Sequence, residues 1–187
     1  MKLSPSKIHG CYQIELAARL DARGSFVKTF QSTAFRELGL EAYFSESFYS
    51  VSQQNVLRGM HFQLPPSDGA KLMYCLQGEV LDVGVDLRVG SPSYGVCSAF
   101  ELSASVPSAA YMPRGVAHGF YVRKGPALLM YHVSSEYDPH CDSGVLWSSI
   151  GFDWPVADPI CSARDAAVVP FESFANPFRF ARVEVDA

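Results

Sequence analysis

Residues 71–87 read Lys-Leu-Met-Tyr-Cys-Leu-Gln-Gly-Glu-Val-Leu-Asp-Val-Gly-Val-Asp-Leu, and this stretch decides the fold class. Its second half alternates between two sets of side chains, and the apolar set consists of Leu81, Val83, Val85 and Leu87. A period of two is typical of a β-strand with two different faces. The Gln77-Gly78 pair predicts a hairpin between two strands, at 71–76 and 79–87.

Further strand-like segments lie on both sides of this stretch, at 25–30, 43–52, 55–63, 94–101, 109–112, 118–123 and 127–134. Glycine and proline residues separate them. Helical patterns are confined to 32–40, with Ser32 as N-cap and Gly39 near the end, and to a short turn that starts near Ser162. Many short strands with regular turns predict an all-β jelly-roll sandwich or barrel with a few short helices. The 187 residues are expected to form one domain, 1–187.

Composition argues against several classes of partner. The formal net charge is −4, and no basic run occurs, so bulk attraction to nucleic acid or to an anionic membrane is not expected. No segment approaches the ~20 apolar residues of a membrane span, and no signal peptide is recognisable. The five cysteines show neither a CxxC pair nor zinc-site spacing, which indicates a reducing compartment. We therefore expect a cytoplasmic protein.

Residues 113–118, Pro-Arg-Gly-Val-Ala-His, fit the PxGxxH element of cupin jelly rolls, which places His118 at the mouth of the barrel. His61 lies about where a metal-binding cupin carries an HxH pair, but Gln63 replaces the second histidine. Lys71 stands where such cupins have a glutamate ligand, and an ammonium group cannot bind a metal ion. The pattern predicts a cupin pocket that holds no metal.

A pocket with histidine, lysine and tyrosine but no metal is suited to removing a proton next to a carbonyl group. Histidine titrates near neutral pH, as a general base should. The ammonium group of Lys71 can stabilise the developing enolate oxygen. A tyrosine hydroxyl can then return a proton to the opposite face, which inverts the carbon.

Several segments resemble the dTDP-4-dehydrorhamnose 3,5-epimerase family, in family order from about residue 21 to residue 166. Asn55-Val-Leu-Arg58-Gly-Met-His61-Phe-Gln63 is similar to the family's RGxHxQ signature. The other matching segments are 71–72, 78–88, 90–95, 113–120, 137–139, 153–155 and 162–165. Tyr131 and Trp147 match single family positions.

The resemblance implies a jelly-roll homodimer that acts, without a cofactor, on a nucleotide-linked 4-keto-6-deoxyhexose. It implies that His61 is the base with Asp165 as its carboxylate partner, that Tyr131 is the acid, and that Lys71 stabilises the enolate. A carboxylate on one ring nitrogen raises the basicity of the other. The resemblance assigns substrate binding to Arg23, Phe26, Lys28, Glu46, Phe48, Arg58, Gln63, His118, Asp142 and Arg164. Arg23 and Arg58 are expected at the diphosphate.

Two elements depart from the family pattern. The RGxFxE element occurs as residues 23–28 with Lys28 in place of the carboxylate, and the QxN element occurs as Glu46-Ser-Phe48. The gain of a positive charge at Lys28 and of a negative charge at Glu46 predicts an ion pair between them, and Phe48 is expected to stack on a base or sugar ring. These changes affect substrate-holding groups and spare the acid and base. The nucleotide is therefore left open among dTDP, CDP, GDP and UDP.

Other functions remain compatible with the sequence. An enzyme that inverts only C3 or C5, or a 3,4-ketoisomerase, would begin with the same proton abstraction. A metal cupin and a non-catalytic sugar-nucleotide binder are the alternatives from other classes.

Asp82 and Asp86 are interpreted as structural pairing residues, Trp147 and Trp154 as packing residues. His9, His132 and His140 are interpreted as surface residues, and the phenylalanines at 171, 174, 178 and 180 as packing on their own domain.

Overall fold

The computed structural model describes residues 1–180 and confirms the all-β fold. The strands are β1 (Lys2–Pro5), β2 (Tyr12–Glu15), β3 (Ala18–Asp21), β4 (Gly24–Val27), β5 (Glu46–Ser52), β6 (Leu57–Gln63), β7 (Lys71–Asp86), β8 (Cys97–Ser103), β9 (Ser108–Met112), β10 (Val116–Val133) and β11 (Asp142–Gly144). Two short helices, α1 (Ser32–Glu37) and α2 (Ala163–Ala167), and 3-10 turns at Trp147–Ser149 and Phe171–Ser173 complete the elements. No helix among these is long and apolar enough to cross a membrane.

Two long antiparallel strands, β7 and β10, organise the sheet. The first part of β7 pairs with β9, and its second part pairs with β8. Likewise, the first part of β10 pairs with β6 and its last part with β5. Strands β1 and β2 extend the sheet beyond β9, and β11 extends it beyond β6. Each long strand therefore passes from one layer of the sandwich to the other.

The predicted hairpin at Gln77-Gly78 is wrong, because β7 runs unbroken from Lys71 to Asp86. Gly78 has φ +78°, and a Cβ there would lie 2.4 Å from the Lys124 carbonyl oxygen. The register with β10 shifts at the same place. A glycine in an apolar strand here marks an irregularity where the strand bends between layers. The segments 118–123 and 127–134 are likewise one strand, β10, with register shifts around residues 122–128.

Both predicted helices form, with one corrected boundary. Ser32 is the first helical residue of α1 rather than its N-cap; the N-cap is Gln31, which makes no side-chain capping bond. Gly39 follows the helix with φ +70°, the left-handed conformation common after helix ends. The Ser162 side chain caps α2 by accepting a hydrogen bond from the Asp165 amide. That cap fixes the backbone of Asp165.

Three apolar clusters hold the layers together. The central cluster fills the space between the layers and includes Met73, Phe100, Phe120 and Leu129. A second cluster covers the outer face of β6, β7 and β10 with the C-terminal segment, where Trp154, Phe171, Phe174 and Phe178 pack as predicted. A third cluster packs α1 and nearby segments on the opposite layer. His132 belongs beside this third cluster, stacked on Phe30 and Tyr74, so its interpretation as a surface residue is wrong.

Strands β3 and β4 form a separate two-stranded hairpin. Every residue of β3 is exposed, and so are the first three residues of β4. Two of its apolar side chains are largely in solvent, since Leu20 is 79% exposed and Phe26 is 62% exposed. The two side chains point to opposite faces of the hairpin, because Leu20 pairs with Ser25 and Phe26 pairs with Arg19.

Candidate active site

A cavity of about 390 Å³ opens where strands β5, β6, β7, β10 and β11 meet helix α2. Its wall includes seven of the positions that the family resemblance assigns to the site: Glu46, Phe48, His61, Gln63, Lys71, Asp142 and Arg164. Tyr137, which sequence reasoning did not assign to the site, also lines the cavity. The strands thus bring together residues that are more than 100 positions apart in the chain.

His61 and Asp165 form a hydrogen-bonded pair, with 2.7 Å between Nε2 and Oδ1. The His61 side chain is 30% exposed, whereas the Asp165 side chain is 4% exposed. The other carboxylate oxygen of Asp165 accepts from the Gly59 amide at 3.3 Å. Burial alone would raise the pKa of Asp165, but its hydrogen bonds from His61 and Gly59 hold that pKa below its usual value. An ionised Asp165 fixes a proton on Nε2 and leaves Nδ1 to act as base.

A second histidine–aspartate pair lies on the neighbouring strands. His118 Nε2 lies 2.7 Å from Asp82 Oδ2, and both side chains are buried, at 6% and 0% exposure. His118 faces His61 directly in the register of β10 and β6. The second oxygen of Asp82 is buried and has no hydrogen-bond partner within residues 1–180. Asp82 therefore belongs to the barrel interior beside the site, and sequence reasoning assigned it no place there.

A signal for Asp82 was present in the sequence. The residue is flanked by Leu81 and Val83 in a nearly continuous apolar run. A carboxylate buried in such a strand needs a partner, because an unpaired buried charge is strongly unfavourable. The prediction of structural pairing is confirmed for Asp86, whose Oδ1 accepts from Arg88 Nε at 2.7 Å and whose Oδ2 accepts from Ser91 and Ser93.

Lys71 lies at the start of β7, and its ammonium group donates to the His61 carbonyl oxygen at 3.2 Å. Burial lowers the pKa of Lys71 to about 8, and the nearby carboxylates of Asp82 and Asp142 oppose part of that shift. A partly buried ammonium that lines the cavity beside His61 can stabilise negative charge there. Its cationic form is present below about pH 8.

Tyr131 lies behind the cavity wall rather than on it. The residue is 6% exposed, and burial raises the pKa of its phenol above the usual value, which keeps the hydroxyl protonated. The Phe48 ring stacks on the Tyr131 ring with 4.7 Å between centroids and an interplanar angle of 17°. The Tyr131 hydroxyl lies 3.4 Å from Ser50 Oγ, and the His118 ring meets the tyrosine ring edge-on.

Gln63 lines the cavity, but its amide is fully engaged by the protein. Nε2 donates to the carbonyl oxygens of Ser67, at 2.9 Å, and of Glu136, at 3.0 Å. Oε1 accepts from the Asp138 amide at 2.6 Å. Gln63 therefore fixes the loop that carries Tyr137 to the cavity mouth.

The remaining polar groups at the cavity mouth form hydrogen bonds with one another. Asp142 accepts from Arg164 Nη2 at 2.5 Å and from the Tyr137 hydroxyl at 3.3 Å. Glu46 accepts from the Tyr137 amide at 2.7 Å. The predicted Lys28–Glu46 ion pair does not form within residues 1–180, because the Glu46 carboxylate is turned to this loop amide instead.

Four positions assigned to substrate binding lie off the cavity wall, in addition to His118. Arg23 is 91% exposed in the β3–β4 hairpin and pairs with Asp21 at 2.6 Å. Phe26 and Lys28 are also exposed in this region. Arg58 is exposed on β6, and its Nε donates to Ser52 Oγ at 2.9 Å.

Residues 5–173 match the family model described as dTDP-4-dehydrorhamnose 3,5-epimerase. The chain belongs to this family. A dTDP-4-dehydrorhamnose 3,5-epimerase of Shigella flexneri is 39% identical over 148 residues, which cover 78% of this chain and 82% of the relative.

Other members of the dTDP-4-dehydrorhamnose 3,5-epimerase family extend this comparison. A dTDP-4-dehydrorhamnose 3-epimerase of Streptomyces niveus is 38% identical over 168 residues, covering 88% of this chain and 81% of the relative. A crystal structure of a dTDP-6-deoxy-D-glucose-3,5-epimerase from Legionella pneumophila, in complex with dTDP-4-keto-L-rhamnose, matches with a TM-score of 0.91 at 32% identity. That match covers 96% of this chain and 98% of the solved chain.

Membership in the dTDP-4-dehydrorhamnose 3,5-epimerase family confirms the predicted enzyme class, an isomerase that acts on carbohydrates by epimerisation. It also confirms the jelly-roll fold. Within residues 1–180, no group of three or more His, Cys, Asp or Glu side chains is arranged to hold a metal ion. Independence from metals and cofactors stays a prediction.

Proposed function

We propose that this protein inverts C3, C5 or both in a nucleotide-linked 4-keto-6-deoxyhexose of the dTDP-4-dehydro-6-deoxyglucose type. The observation that carries the proposal is the hydrogen bond between the cavity-lining His61 and the buried Asp165, with the Lys71 ammonium donating to the backbone carbonyl of the same histidine. A base and a cation held this close together suit the removal of a proton next to a ketone.

The first step is proton abstraction. Nδ1 of His61 takes the proton from the carbon next to the ketone, and the C–H electron pair becomes a carbon–carbon double bond. The carbonyl π pair moves to oxygen, where the Lys71 ammonium stabilises the enolate. Asp165 stabilises the imidazolium ion that forms.

The second step is protonation from the opposite face. The Tyr131 phenol donates its proton to carbon while the enolate reverts to a ketone, so the configuration is inverted. The phenolate then regains a proton, and His61 releases one, both by exchange with solvent. The raised pKa of Tyr131 means that the phenol starts the reaction in its protonated form.

We further propose that the enzyme is a cytoplasmic homodimer in which the β3–β4 hairpin of one copy reaches the cavity of the other. Three assigned substrate-binding residues, Arg23, Phe26 and Lys28, lie in or next to this exposed hairpin and away from their own cavity. Burial of Leu20 and Phe26 against a partner would stabilise the pair. Arg23 and Arg58 would then bind the diphosphate, because guanidinium groups bind phosphates in a bidentate manner.

The test is proton exchange in heavy water. The protein is incubated with dTDP-4-keto-6-deoxyglucose, and C3 and C5 are followed by proton NMR. Deuterium at both carbons, with inverted products trapped by reduction, is the result expected for a 3,5-epimerase. Absence of exchange with the dTDP-, CDP- and GDP-linked ketones would contradict the proposal and favour a non-catalytic binder. A chelator in the same assay is expected to leave the rate unchanged.

A second candidate is inversion at a single carbon. It is favoured by one observation, the relative from Streptomyces niveus that is named a 3-epimerase and is 38% identical. The same experiment separates the candidates, since deuterium at C3 alone identifies the single inversion. A 3,4-ketoisomerase would instead produce a ketone at C3, which product analysis detects.

A further inference from the structure

Phe48 separates the cavity from Tyr131. The two residues face each other across strands β5 and β10 as a direct register pair. Phe48 lines the cavity and is 43% exposed, whereas Tyr131 is 6% exposed and does not line it. The two rings are nearly parallel, at 17°, with 4.7 Å between their centroids. The phenylalanine ring therefore covers a face of the tyrosine ring.

The other two ring or hydroxyl contacts of Tyr131 are made by residues that do not line the cavity. Ser50, two positions along β5, faces the phenol hydroxyl at 3.4 Å, and the His118 ring packs edge-on at 5.9 Å. Neither lines the cavity in the described part of the chain. Of these three contacts of Tyr131, only the one to Phe48 involves a residue of the cavity wall.

We propose that Phe48 is a specificity-determining residue that controls access of the bound sugar to the Tyr131 phenol. It thereby sets how often an enolate is inverted rather than returned to its starting configuration. This inference rests on the proposed function, because it assumes that His61 forms the enolate and that Tyr131 protonates it. His61 lies on the open wall, so enolate formation does not require Phe48 to move.

The enolate can then be protonated in two ways, by His61 or by Tyr131. An enolate that is protonated again by His61 gives the original sugar, labelled with deuterium in heavy water. An enolate that is protonated by Tyr131 gives the inverted sugar. Covering the phenol lowers the second rate and leaves the first unchanged, and small changes in the position of reacting groups alter rates by large factors.

The experiment measures initial rates of label uptake and of inversion with dTDP-4-keto-6-deoxyglucose in heavy water. Phe48→Ala removes the covering ring, and the ratio of inverted product to labelled, uninverted substrate is expected to rise roughly 10-fold. Phe48→Tyr keeps the ring and is expected to keep the wild-type ratio. The matched control is Tyr94→Ala, which removes an aromatic ring of similar exposure (45%) that packs on Phe171 away from the cavity.

A double variant distinguishes access to the Tyr131 phenol from a general loosening of the cavity wall. In a Tyr131→Phe background, Phe48→Ala has no phenol to expose, so the gain in the ratio should vanish. A ratio that stays unchanged or falls in Phe48→Ala overturns the inference, and so does a gain that persists without the phenol. If the wild-type protein exchanges no proton at all, the proposed function itself has failed, which is a different result.

Discussion

The hydrogen bonds of the two histidine–aspartate pairs are equally long, but one histidine lines the cavity and the other is buried. Each joins a histidine Nε2 to a carboxylate oxygen at 2.7 Å, and the two histidines face each other on the paired strands β6 and β10. The His61 side chain is 30% exposed and lines the cavity, whereas the His118 side chain is 6% exposed and does not. The hydrogen bonds alone thus do not distinguish the two histidines, and exposure to the cavity does; on that ground we propose His61 as the base.

The largest effect is expected from removing the exposed histidine. His61→Asn takes away the base, so uptake of deuterium from heavy water should fall by roughly 10²- to 10⁴-fold. Binding of dTDP, measured by calorimetry, should change little, because the base contributes to proton transfer rather than to affinity. Deuterium uptake within about 10-fold of wild type would assign the base elsewhere.

A smaller loss is expected from the carboxylate behind that histidine. Asp165→Asn leaves a group of similar shape but removes the charge that stabilises the imidazolium ion, and exchange should slow by roughly 10- to 100-fold. Circular dichroism should confirm that the fold is retained, because Asn is close to Asp in size and shape. An equal loss in Asp165→Asn and His61→Asn would mean that the pair acts as one inseparable unit.

The pH dependence of the exchange rate tests the role of Lys71 beside His61. The pKa of Lys71 is lowered to about 8, so the ammonium form is present below that pH and is lost as the pH rises through it. The exchange rate should therefore decline by about 10-fold per pH unit above roughly pH 8. Lys71→Arg keeps the positive charge at all these pH values, and the decline should disappear. A wild-type profile that is flat between pH 7 and 9.5 would remove Lys71 from this role.

The sequence predicted the exposed pair better than the buried one. The family resemblance assigned His61 and Asp165 through two short segments, 55–63 and 162–165, each of which matches locally. The Asp82–His118 pair joins positions 36 residues apart, and only the register of β7 with β10 brings them together. No local pattern encodes that register.

The same reason explains the other differences between sequence and structure. Gly78 looks like a turn residue, yet its positive φ produces a bend within one strand, because the sheet continues on both sides. Alternation in 79–87 correctly predicted a strand with two faces, and both faces are covered by separate apolar clusters. The stacking of Phe48 on Tyr131 followed from no motif, since it depends on which strand lies beside β10.

Disrupting the buried His118–Asp82 pair is expected to have the smallest effect on the exchange rate and the largest effect on the free energy of unfolding. His118→Leu leaves the Asp82 carboxylate buried without its partner, which should lower the free energy of unfolding by roughly 3 kcal/mol, measured with urea. His61→Leu should lower the free energy of unfolding by less, because the His61 side chain and its cavity are open to water. Deuterium uptake in His118→Leu should stay within about 10-fold of wild type, since proton abstraction belongs to the other pair. If His118→Leu instead stops exchange while leaving stability unchanged, then exposure does not distinguish the two pairs, and both histidines take part in proton transfer.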